Sequence, residues 1–253
     1  MKRGSAKHLL DLLESNRCLE TLNALIADGS ASIQSDDCWQ PFGKANRDEW
    51  REMEIPAFCD QYFDELANHP DLKNWWLPPQ TDGRTRKGAT WDLLSTCTIE
   101  GRAGLLLVEA KAHEDELEYG GKPMSLAANV QSKLNHEHIR KNLREVSDKL
   151  NQAADGVFAL SIDSHYQLAN RIAWAWKLAD CGVPVVLLYL GFLGDTYFRS
   201  DYLKDADHWQ RIMGAYLHGV VPKALPGRPV AGQNGGTFTL LVKSLPIREV
   251  SSK

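Results

Sequence analysis

A chain of 253 residues with 43% hydrophobic content is long enough for one sizeable α/β domain and carries enough apolar material to build its core. Its net charge of -4 excludes a protein that grips long nucleic acid through bulk positive charge, so any polyanion site must be local. Five scattered cysteines (Cys18, Cys38, Cys59, Cys97 and Cys181) include no Cys-x-x-Cys pair, which removes a zinc ribbon or a disulfide framework and suits a reducing cytoplasm.

Residues 6–27 place leucines and Ile26 at helical spacing, which predicts one amphipathic helix ending near Gly29. Asp11 and Glu14 interrupt this start before an apolar signal core can form, and no run approaches about eighteen apolar residues, so neither export nor a membrane span is expected. A Ser/Asp loop leads to a helical stretch around 47–68, interrupted near Pro56, and Pro78, Pro79, Asp82 and Gly83 mark a further loop. Two strand-like runs follow, 89–98 and 104–113, joined by the turn residues Glu-Gly-Arg-Ala-Gly. After Gly120, Gly121 and Pro123, residues 125–153 read as a long polar helix whose apolar stripe is Leu126, Val130, Leu134, Ile139, Leu143, Val146 and Leu150. A helix over 166–180 is expected, capped by Asp163 or Ser164 and ending at Gly182; Pro184 then opens a continuous apolar run that reads as a buried strand. The remainder holds a helix around 206–218, a Gly/Pro-rich loop over 226–236 and a last strand over 237–243, with no internal repeat.

The chemistry concentrates at the end of the second strand-like run. Leu-Leu-Leu-Val leads into Glu109 and Lys111, which share one strand face because side chains alternate. Folded back as a hairpin, the first run brings Asp92 beside Glu109. Two carboxylates and an ammonium at the end of a buried strand are too costly to desolvate without a partner, and a divalent cation is the partner that fits. The triplet Asp71-Leu72-Lys73 has the same letters but no apolar run before it, and reads as a solvated helix end or loop. Such triplets arise by chance roughly once or twice in a chain of this length. The apolar run, the hairpin and the second carboxylate distinguish the copy at 109–111.

These residues resemble the PD-(D/E)XK nuclease superfamily over about 45–195, with Asp92 at the position of the family's metal-binding Asp, Glu109 as its second acidic residue and Lys111 as its lysine. Trp91 stands where the family motif has Pro, and the first core strand is not assigned within 73–90. The resemblance implies an α/β fold: a mixed central sheet flanked by helices, with a restriction-endonuclease-like α-β-β-β-α-β core. It implies a single domain, 1–253, with an N-terminal helical extension over about 1–44 and a C-terminal helix and strand extension over about 196–253. Further implications are a metal site of Asp92, Glu109 and the carbonyl of Ala110, joined by a helix-borne Glu (Glu52 or Glu54, with Glu49 and Glu65 behind them). The helix and strand after the hairpin, Tyr166-Gln167-Leu168-Ala169-Asn170-Arg171 followed by the run after Pro184, also look like those of bacterial members.

Gln167 and Arg171 lie four apart on one helix face, as a pair reaching a phosphate or the attacking water would, although such polar pairs also occur on any exposed face. Arg84, Arg86 and Lys87 are candidate phosphate contacts, as are Lys133, Arg140, Lys141 and Arg144, unless these charges are merely solvated. His136 and His138 fall about 200° apart on a helix and are read as surface residues, not shared ligands. His113 with Glu114, Asp115 and Glu116 is read as a solvated acidic turn, with a second metal site as the alternative; Trp174 and Trp176 read as core. The expectation is therefore a cytoplasmic Mg²⁺- or Mn²⁺-dependent nuclease, with catalytic Asp92, Glu109, Lys111 and Gln167, acting on nucleic acid, DNA favoured over RNA, with no membrane partner. Oligomeric state is open, a dimer included. The alternative is a catalytically inactive module of the same fold that binds nucleic acid or a protein.

Overall fold

The structure, a computed structural model, describes residues 4–42, 52–78, 88–124 and 128–250. It opens with two helices, α1 (Ser5–Leu13) and α2 (Cys18–Ile26), where the leucine spacing predicts one. The break falls at Glu14, Ser15, Asn16 and Arg17, which offer no apolar side chain to continue the buried stripe. Two short strands follow, β1 (Ala31–Ser32) and β2 (Trp39–Gln40), then β3 (Met53–Glu54) and α3 (Ile55–Tyr62). Pro56 lies in the first turn of α3, where its missing N–H is harmless, so it starts this helix and does not interrupt a longer one. After α4 (Pro70–Lys73) come β4 (Thr90–Trp91), β5 (Leu93–Ile99) and β6 (Arg102–Lys111). The chain continues through α5 (Val130–Ala153), α6 (Tyr166–Asp180), β7 (Val185–Leu193), α7 (Ala206–Leu217), β8 (Pro229–Ala231), β9 (Thr237–Pro246) and α8 (Ile247–Val250).

Seven strands form one mixed sheet in the order β1-β5-β6-β7-β9-β8, with β2 also paired to β5. The β5–β6 hairpin is antiparallel and closes on Glu100 and Gly101, both at positive φ (50° and 78°), the two-residue turn that matches strand twist. From β6 onward β7 and β9 add in parallel, each reached by a helical crossover. Among the described residues the outer neighbours of β5 come from residues 31–40, and β3 and β4 form a separate small ladder; residues 79–87, within the stretch 73–90, lie outside the described residues.

Helices cover both faces. One face packs Leu94, Leu105, Leu107, Val185, Leu187 and Tyr189 against α5, α6 and α7, with Trp174 and Trp176 inside that core as read from the sequence. The other packs Leu93, Leu106, Val108, Val186 and Leu188 against α1 and α2. The α5 stripe is buried at Ile139, Leu143, Val146 and Leu150, but Val130 and Leu134 are exposed. The helix α6 starts at His165, which holds a left-handed conformation, and neither Asp163 nor Ser164 caps it. Among the described residues no helix is long and apolar enough to cross a membrane.

Gly191 on β7 sits opposite Lys111 in the parallel ladder, and a Cβ there would come within 2.6 Å of the buried Trp209 ring. Gly191→Ala is expected to destabilise the fold by about 1–3 kcal/mol through overpacking. A thermal melt of the variant checks this, and an unchanged midpoint would show that Trp209 can move aside.

Candidate active site at the end of β6

Strand β6 alternates its side chains between the two cores. Leu105 and Leu107 face the α5 and α6 side, so Glu109 and Lys111 do too, while Val108 and Ala110 face α1. The register Leu93↔Val108, continued by one step, sets Asp92 opposite Glu109. Asp92 is a bend between β4 and β5, and its Oδ2 takes a backbone position in the ladder by accepting the Ala110 N–H at 2.8 Å. In an extended strand a residue's N–H and C=O leave by the same edge, so the Ala110 carbonyl faces the Asp92 side as well.

The charges are tightly arranged. Glu109 is 2% and Lys111 4% exposed. Lys111 Nζ donates to Glu109 Oε1 at 2.7 Å and to Gln167 Oε1 at 2.9 Å. Arg171 Nε donates to Glu109 Oε2 at 2.6 Å, its other nitrogens donate to Asn170 Oδ1 and the Thr90 carbonyl, and the guanidinium stacks 4.4 Å from the centre of the Trp91 ring. Burial by itself would raise the Glu109 carboxyl, but Arg171 and Lys111 outweigh it and hold the group below its usual range. Asp92 is treated differently. Burial and then the Glu109 charge push its carboxyl up to about 7, against the opposing pull of Lys111, the Ala110 N–H and Arg171.

Asp92, Glu109, Ala110, Lys111, Gln167 and Arg171 are thus brought together. Arg171, expected to reach phosphate, is instead the buried counter-ion of Glu109. Glu52 is exposed and accepts from the Thr90 hydroxyl at 2.8 Å, while Glu54 accepts the Gly88 N–H; both flank β4 and neither lies on a helix before the strands. Arg84, Arg86, Lys87 and Glu49 lie outside the described residues. Among the basic residues of α5, Arg140 is paired with Asp163 and Lys141 with Glu145. His136 is buried, not on the surface, with Nε2 3.2 Å from the Lys122 carbonyl, and His138 Nε2 meets the Trp75 carbonyl, so the two have separate partners. His113 stacks on Phe198, and Glu116 ties the end of β6 to α1 by accepting from the Ala112 N–H and the Ser5 hydroxyl. Lys73 of the look-alike triplet is half-exposed beside Asp60.

Beside the charges opens a cleft of about 300 Å³ lined by residues that include Trp76, Thr90, Tyr166, Gln167, Asn170 and Arg171. Asn170 escaped the sequence reading although it shares a helix face with Gln167 and Arg171, at i+3 from the first, which was the available signal. Among the described residues no group of three or more His, Cys, Asp and Glu side chains could hold a metal ion; the site brings together two carboxylates, Asp92 and Glu109.

No family model, curated protein or solved structure matches this chain. Its chemistry must be read from the site.

Because the Asp92 carboxyl titrates higher in the folded than in the unfolded chain, the fold keeps a proton that the unfolded chain has lost between about pH 4 and 7, and stability falls as pH rises through that window. Asp92→Asn keeps an acceptor for Ala110 and removes the charge. In chelator at pH 8 the variant should melt a few degrees above the wild type, each kcal/mol being worth about 2–4 °C in a chain of this size. The gap should close as pH is lowered toward about 4. Equal midpoints at every pH would contradict the electrostatic account.

Proposed function

We propose that this protein is a metal-dependent nuclease that hydrolyses phosphodiester bonds of nucleic acid with Mg²⁺ or Mn²⁺, on a restriction-endonuclease-like core of the PD-(D/E)XK kind. The observation that carries the reading is the convergence of Asp92, Glu109 and Lys111 on one face at the end of β6, with the Asp92 carboxyl raised by burial and then by the Glu109 charge. An antiparallel hairpin, two helices and a parallel strand in succession support it; on this reading β1 and β2, which precede the 45–195 stretch of the resemblance, would take the part of the family's first core strand.

The donor set fits a hard divalent ion. Asp92 Oδ1 has no partner among the described residues, Glu109 oxygens accept one hydrogen bond each from cations and retain further lone pairs, and the Ala110 carbonyl lies on the same edge. A cation there would also relieve the repulsion that raises Asp92. Bound at these three residues, the ion supplies Lewis-acid stabilisation of the phosphate and acidifies a water. The chain's own contribution is electrostatic and positional. Lys111 places a compact positive charge where charge grows on the phosphoryl oxygens. Gln167 and Glu109 fix that ammonium from two sides, so little reorganisation is required during reaction. Arg171 keeps Glu109 ionised and holds β4 through the Thr90 carbonyl, which positions Asp92 two residues on.

One observation favours a second reading, a non-catalytic module of the same fold. Glu109 is already neutralised by Lys111 and Arg171, and a self-satisfied cluster of that kind can persist without turnover.

Lys111→Ala separates the two. With labelled single- and double-stranded DNA and RNA in Mg²⁺ or Mn²⁺, the substitution should lower the cleavage rate by about a hundredfold or more, the scale of a lost oxyanion donor. Binding of the same strands in Ca²⁺ should change far less. Equal cleavage by both proteins would discard Lys111 as catalytic. Tight binding without cleavage by the wild type would favour the second reading.

A further inference from the structure

The cleft beside the charged cluster has an architecture of its own. Its lining includes two aromatic residues whose rings lie 6.5 Å apart and inclined by 32°: Tyr166, partly exposed, and behind it Trp76, 4% exposed and packed on Trp174. Gly88, Ala89 and Thr90, which carry little side-chain bulk, also line it. Asn170, 2% exposed, lines the same space. Its Oδ1 accepts from Arg171 at 2.9 Å, which fixes the amide orientation because the flipped form would set an NH₂ against the guanidinium. Its Nδ2 is left with no hydrogen-bond partner. A buried amide donor without an acceptor is costly, and such groups are ordinarily satisfied. The rim carries Lys122, 5.0 Å above the Tyr166 ring, and Glu118, one charge of each sign.

This composition does not suit a phosphate channel, which would be uniformly basic. It suits a flat, neutral group with a π face and an edge acceptor. At about 300 Å³ the cleft is at the small end of ligand sites, room for one such group rather than a length of chain. Gln167 and Arg171 belong both to the cleft and to the Glu109–Lys111 cluster, so whatever enters lies next to the proposed phosphate position.

We infer that this cleft is a nucleobase pocket, in which one unstacked base packs on the Tyr166 ring, backed by Trp76, and accepts a hydrogen bond from Asn170 Nδ2, so that the site takes single-stranded nucleic acid or a strand end in preference to continuous duplex. The inference rests on the nuclease reading for its substrate class. A base within a stacked duplex cannot enter a pocket of this size, whereas a base free of its partner reaches an aromatic platform without unstacking cost.

The test uses the full chain in Ca²⁺ and three probes of one sequence: a single strand carrying 2-aminopurine, the same strand with an abasic residue at that position, and a blunt duplex. Both strands are scanned through every position. The base-bearing strand is expected to bind about tenfold or more tightly than the duplex and than the abasic strand at one position, the scale of one base–aromatic stack, with a change in 2-aminopurine fluorescence at that position. Asn170→Ala and Tyr166→Leu, each checked for an unchanged circular dichroism spectrum, should erase the difference between base and abasic strands. The abasic comparison needs no altered protein, so the inference stays testable if a variant fails to fold. Equal affinity for base and abasic strands at all positions overturns the pocket, even where Mg²⁺-dependent cleavage by the wild type upholds the nuclease reading. Base-dependent binding without any cleavage upholds the pocket while the nuclease reading fails.

Discussion

Everything around the site follows from one carboxylate that is almost wholly buried. Glu109 ends an apolar strand, lies under α6, and is 2% exposed. An ionised carboxylate in such a place is tolerable only if it is paired and hydrogen-bonded, because the desolvation penalty is several kcal/mol. Lys111 and Arg171 meet that demand, one on each oxygen. The pairing joins the layers, since Lys111 comes from the same strand and Arg171 from the helix above. Removing Arg171 alone would leave Glu109 half-compensated, a loss on the order of 3–5 kcal/mol for a broken buried pair.

The second carboxylate makes the cluster more than a structural ion pair. With Asp92 added, two acids face two bases, yet Asp92 stays raised because burial and then the Glu109 charge outweigh two bases that hydrogen-bond to Glu109 and not to Asp92. A fold with no further use for Asp92 would gain by replacing it with a neutral residue able to accept the Ala110 N–H. The stored repulsion is what a cation would release, and it links the fold to the proposed chemistry.

Local signals made much of this legible. The hairpin could be read from the turn letters and the alternation of Glu109 with Lys111, α6 from its stop at Gly182, and β7 from the continuous apolar run after Pro184. Long-range pairings were not legible. Arg171 meets Glu109 across 62 residues, so its spacing with Gln167 suggested a solvent-facing or phosphate-facing pair and gave no sign that the helix buries it. The edge strands β1 and β2 are two residues each and carry no alternation that could be read; only their pairing with β5 defines them. His136 lies on a polar helix, and its burial depends on the segment containing Lys122 folding over it. Asn170 looked like an ordinary helix residue until the cleft beside it was formed.

The central claim is that Asp92 and Glu109 together form a site for a divalent ion. Titrating the wild type and Asp92→Ala with Mn²⁺ by calorimetry at pH 8 tests it most directly, since loss of one of two hard anionic ligands leaves too little charge to strip the ion's water. The account predicts one bound Mn²⁺ per chain in the wild type and none detectable in the variant, with both proteins equally folded by circular dichroism. Equal Mn²⁺ affinity in the two proteins, or no binding to the wild type, would contradict it.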